Sequence, residues 1–170
     1  MSFNISLLIP DSLRQGLFFG LNSGVLTTLG VICGLVQADI SKYILIISVL
    51  SLAIADSTSE AYGLYVSKKA EIVDDHSNNP LLSSISLYVM KFVIVASFLL
   101  PLLFTNNLWL YKSMIWPITW GAILLLFLDF NLSTIRKENI LNYLVPHVVL
   151  VFLIVVSTKY FGRRINKLSK

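Results

Sequence analysis

Charge is scarce in this sequence. Only 13% of its 170 residues are Asp, Glu, Lys or Arg, 56% are hydrophobic and the mean hydropathy is +0.79; this composition lies outside that of soluble globular domains. Cysteine is nearly absent. The single Cys33 excludes an internal disulfide and a thiolate metal cluster, and reads as a small buried hydrophobe. Long polar connections are missing too: no interval between apolar runs exceeds about 20 residues, which leaves no room for a separate soluble domain. The opening segment MSFNISLLIPDSLRQG has neither a basic n-region nor a small-residue cleavage site and is expected to be mature sequence. No nucleophile is paired with a base and no basic phosphate-binding cluster lies near the acidic residues, so an enzyme is not expected.

What is present is apolar sequence in five runs. They cover approximately 16–38, 43–66, 85–104, 108–129 and 140–161, and each has about the ~20 residues a helix needs to cross a ~30 Å hydrocarbon layer. The expected fold is all-α: an integral, multi-pass membrane bundle of five transmembrane helices forming a single domain over residues 1–170. Membrane lipids are the expected surroundings. The net charge of +4 comes largely from the tail YFGRRINKLSK, which suits lipid headgroups and not nucleic acid. Basic residues divide almost evenly between the two sides of the five runs, so the positive-inside rule sets no orientation.

Within the first run Gly16, Gly20 and Gly24 recur every four residues, and Gly30 and Gly34 repeat the spacing. Each set makes a flat strip against which another backbone can pack closely, either a helix of the same chain or a second copy. Asn22, Ser23, Thr27 and Thr28 add polar groups to this helix. In the fourth run, Trp109, Tyr111, Trp116 and Trp120 read as an interfacial aromatic belt, and Asp129 and Asn131 as headgroup-level residues at the other end. Pro101 and Pro117 are expected to kink their helices. His147, after Pro146, reads first as a hydrogen-bonded packing residue.

The second run carries the main anomaly. Asp56 and Glu60 stand four residues apart in LAIADSTSEAYGLYV, so they project from one helix face. An acidic residue at the centre of a membrane helix costs on the order of 2.5–3.5 kcal/mol. Bound cations, protonation or a basic partner must offset that cost, and Lys91 is the basic candidate. Two carboxylates this close also resist ionising together and tend to share a proton. The loop SKKAEIVDDHSNNP, with Glu71, Asp74, Asp75 and His76, reads either as a solvated turn or as an oxygen-rich vestibule for hard cations such as Mg²⁺, Ca²⁺ and Mn²⁺.

The stretch LRQGLFFGLNSGVLTTLGVICGLVQA, residues 13–38, resembles the first helix of the vacuolar iron transporter family through Leu13, Arg14, Gly20, Asn22, Gly24, Gly34 and Ala38. SEAYGLYVSKKAE, residues 59–71, is similar to the end of that family's second helix, and FVIVASFLLPLLF to its third. The resemblance implies a five-span homodimer that moves Fe²⁺ or Mn²⁺, commonly in exchange for protons, along a path formed by the first two helices at the dimer axis. Three departures stand out. Ser23 occupies the place of the family's first-helix aspartate, Glu60 that of its ligand methionine, and the long acidic insert is reduced to the loop around His76. Exchanging a thioether for a carboxylate hardens the site and favours Mn²⁺, Ca²⁺ or Mg²⁺ relative to the family norm.

The reading is therefore a divalent-cation transporter with no resident cofactor, whose metal-binding residues are Asp56, Glu60, Asn22, Ser23, Thr27 and Glu71. The alternative is a non-transporting membrane interaction subunit that keeps the fold.

Overall fold

A computed structural model describes residues 9–71, 79–104 and 113–168. Among these residues every regular element is a helix: α1 (Asp11–Gln37), α2 (Lys42–Ala70), α3 (Pro80–Ser97), the short α4 (Leu100–Phe104), α5 (Ile115–Arg136) and α6 (Leu141–Leu168). All but α4 are long and apolar enough to cross a membrane. The loop residues Asp74, Asp75 and His76, together with Trp109 and Tyr111 of the expected aromatic belt, lie outside the described residues.

Local chemistry sets the helix ends. Ser41 caps α2, its hydroxyl accepting from the Ile44 amide at 3.4 Å, and Asn79 caps α3 by accepting from the Leu82 amide at 3.1 Å. Pro80 follows at the first position of α3, where its missing N–H would have no intrahelical partner anyway. Lys137 ends α5 in the left-handed conformation, with φ 55°.

The two prolines expected to bend helices act differently. Pro101 does interrupt the third run. Its ring would meet the carbonyl four residues back, at Ser97, and α3 ends at that residue. Phe98 and Leu99 form a tight turn with i→i−3 hydrogen bonds of 3.2 and 2.9 Å before α4 begins. Pro117, by contrast, lies in the first turn of α5, where no intrahelical bond is lost, and it starts the helix without kinking it. Trp116 and Trp120 are turned into the protein. Trp116 is buried against Phe98 with ring centroids 6.4 Å apart, and the Trp120 indole donates to the Ser97 hydroxyl at 3.0 Å. Both tie α5 to the break after α3.

α1 is the central element and packs against α2, α3, α5 and α6. Its glycines make this possible. A Cβ on Gly20 would meet the Leu87 carbonyl oxygen at 2.7 Å, and one on Gly16 would collide with Ser86 and Ser83. The strip Gly16–Gly20–Gly24 is therefore filled by α3 of the same chain. Gly30 and Gly34 face Ile154 and Thr158 of α6, and Gly162 of α6 lies against the Gly34 carbonyl. Both strips are occupied within one chain, so neither is left as a seam for a second copy. Around them Leu21, Val25, Leu29, Ile32, Val49, Val95, Phe98 and Leu125 form the core, and Cys33 is fully buried.

This packing makes a sharp prediction. Gly20→Leu forces backbone apart and is expected to lower stability by about 1–3 kcal/mol or more. Gly63→Ala, where a Cβ meets nothing within 4 Å, is expected to raise it by up to about 1 kcal/mol. Denaturant titration in detergent micelles checks both signs, and equal effects at the two positions would contradict the close approach of α1 and α3.

Candidate functional site

Asp56 lies midway along α2, and Glu60 follows one helical turn later on the same face. Opposite them, α3 presents Lys91, whose side chain is wholly buried. The Lys91 ammonium lies 2.6 Å from Asp56 Oδ2 and 2.7 Å from Glu60 Oε2. α1 contributes Ser23, whose hydroxyl reaches both carboxylate oxygens of Glu60, at 2.7 and 2.6 Å. Three helices thus converge on one cluster of two acids, one base and one hydroxyl.

The sequence permits this cluster because Gly20 and Gly24 of α1 leave space beside Lys91: Cβ atoms there would stand 3.1 Å from the Lys91 amide nitrogen and 3.4 Å from its Cγ. The lysine stem occupies the groove the glycines leave, and its charged end meets the α2 carboxylates. Close as they are, the contacts at Nζ do not have hydrogen-bonding angles; Nζ and Asp56 Oδ2 each lack a directed partner. The ammonium is held by charge more than by directed bonds. With all three groups ionised the cluster carries one net negative charge.

Lys91 is closed off, but the acids are not. About 30% of each carboxylate side chain remains exposed, 31% for Asp56 and 30% for Glu60. Asp56 opens onto a shallow cleft of about 620 Å³ between α1, α2 and α6, which Thr27, Ser157 and Thr158 also line.

Of the residues expected to bind metal, Asp56, Glu60 and Ser23 come together, with Thr27 at the adjoining cleft. Asn22 does not join them. One residue before Ser23 it is rotated by about 100° around the helix, and it lines a different cavity with His147. Glu71 does not join them either: it caps α2 about three turns beyond Glu60, roughly 16 Å along the axis. Among the described residues no three His, Cys, Asp or Glu side chains converge to hold a metal ion. A cation at this site would therefore rely on two carboxylates and a hydroxyl, a hard oxygen set, and would have to replace the ammonium.

A second polar pair was not expected from the sequence. Asp129, wholly buried on α5, lies 2.6 Å from His147 Nδ1 on α6. It faces the helix bundle and is paired there with His147.

Among the described residues, the fold and the cluster together define a bundle of five long helices with a partly exposed pair of acids set against one buried lysine. In comparisons with known proteins no family model, curated sequence or solved structure matches the chain.

Proposed function

We propose that the chain is a multi-pass membrane protein that carries divalent cations of the Mn²⁺ and Fe²⁺ class, with Asp56 and Glu60 as ligands. Lys91 serves as the resident positive charge of the cation-free state. The observation that carries this reading is the pairing of two partly exposed carboxylates with one ammonium that makes close contacts but no well-directed hydrogen bonds. A net negative site of this kind accepts one further positive charge, or exchanges its ammonium for a metal ion. The resemblance of the first two helices to the vacuolar iron transporter family supports the same reading.

Partial exposure also bears on assembly. Carboxylates facing hydrocarbon at mid-helix are costly, so the face of α2 that bears Asp56 and Glu60 is covered by a second copy or opens to water. We take the homodimer as the arrangement that does both. It now rests on this acidic face and not on the glycine strips.

One observation favours the alternative. A fully buried lysine against two acids also suits a structural lock in a membrane interaction subunit. Thermal unfolding separates the two readings. If the site binds metal, Mn²⁺ at about 100 times its dissociation constant adds about 2.7 kcal/mol of stability, and proteoliposomes containing a metal-sensitive dye take up Mn²⁺. An unfolding temperature unmoved by Mn²⁺, with uptake no faster than in empty liposomes, favours the lock and ends the transport reading.

A further inference from the structure

We propose that Asp129 and His147 form a separate proton-binding site, in which the imidazole takes up a proton from the cavity between α1, α5 and α6. The inference does not rest on the cation reading, and the pair shares no side chain with the Lys91 cluster.

The pair spans two helices. Asp129 has no exposed surface, His147 only 13%, and Nδ1 lies 2.6 Å from Oδ1. The other carboxylate oxygen, Oδ2, is buried without a hydrogen-bond partner. A carboxylate with one lone oxygen and a neutral ring leaves a full negative charge buried with a single hydrogen bond, a costly arrangement that an imidazolium partner would neutralise. The ring provides the route. With Nδ1 turned to the carboxylate, its remaining nitrogen is the position at which the proton binds, and His147 lines a cavity of about 340 Å³. The product is an imidazolium–carboxylate pair with no net charge.

The walls of the cavity fit a proton better than a larger ion. They are mostly apolar, with Phe18, Phe19 and Leu150 among them, and the polar exceptions are Asn22, Asn142 and Tyr143. The side-chain oxygen of Asn22 is a second buried acceptor without a donor. α1 presents no charged group to this cavity, α5 presents only Asp129 to the ring, and on α6 the other titratable group is Tyr143, whose hydroxyl donates to Glu138 at 2.8 Å. A second apolar groove on the far side of His147, lined by Leu125, Leu144 and Val151 among others, adds no charged group.

The sequence holds two histidines, so full-length protein carrying His76→Gln has His147 as its only imidazole. Labelled with ¹⁵N-histidine and placed in lipid nanodiscs, it reports the protonation state of each ring nitrogen directly. One ring nitrogen is expected to gain a proton. Asp129→Asn removes the attracting charge and is expected to lower the midpoint by about one pH unit or more. Asn22→Asp adds charge to the cavity without altering the pair and is expected to raise it by a similar amount; this second variant keeps the test decisive where Asp129→Asn does not fold. Ring shifts constant from pH 5 to 9, or a midpoint that neither variant moves, would overturn the assignment. Because proton binding is read without transport, loss of Mn²⁺ uptake in the wild type would leave this result intact.

Discussion

Removing both acids, as Asp56→Ala with Glu60→Ala, is expected to destabilise the protein by about 3–5 kcal/mol, because it strands the Lys91 ammonium in a site where it has no exposed surface and, among the described residues, no other charge partner. The loss has a specific remedy. Adding Lys91→Met replaces the stranded charge with an apolar chain of similar length, and the triple variant should recover most of the lost stability, since a buried ion pair exchanged for apolar groups is often neutral or better. Reversible unfolding in mixed micelles measures each step. A triple variant no more stable than the double one would mean that the Lys91 contacts do not govern the packing of α2 on α3.

Lys91→Met alone isolates the second large effect. In the wild type a metal ion competes with an ammonium placed within 3 Å of both carboxylates; in the variant the carboxylates have no internal rival. Mn²⁺ is expected to bind at least tenfold more tightly, about 1.4 kcal/mol, as read by titration calorimetry. Transport should fall even so, because the charge that displaces the ion after each passage has been removed. Weaker binding in Lys91→Met would place the lysine among the groups that hold the cation and refute its role as occupant. The triple variant supplies the complementary control: folded, without acids, and expected to neither bind nor carry Mn²⁺.

The helices were legible in the sequence because apolar runs of bilayer length occur almost without charge, and the acids on α2 because a four-residue spacing fixes their common face. The partners of those acids depend on chain geometry. Ser23 lies 15 residues before the turn at residues 38–41 and Glu60 lies 19 after it, mirrored to within about one helical turn, and Asp129 and His147 lie nine residues either side of Glu138. Two antiparallel helices joined by a short connection bring such mirror positions face to face. Read with that rule, Asp129 would have been matched with His147 and not assigned to the headgroups. The occupants of the glycine strips were not legible at all: small residues show that something packs closely, and only tertiary structure shows that α3 and α6 do.

All four members of the charge cluster come from the first three long helices, and the acids precede their base in the chain. In a bilayer, the ribosome delivers Glu60 about 30 residues before Lys91, an interval of roughly 2–6 s at 5–20 residues per second. For that time the two mid-helix acids of α2 lack Lys91, so entry of α2 into lipid is expected to be unfavourable until translation supplies α3. If the chain enters a membrane through a translocon, α2 is expected to be released only together with α3, and a nascent chain arrested before Lys91 is expected to leave α2 unreleased.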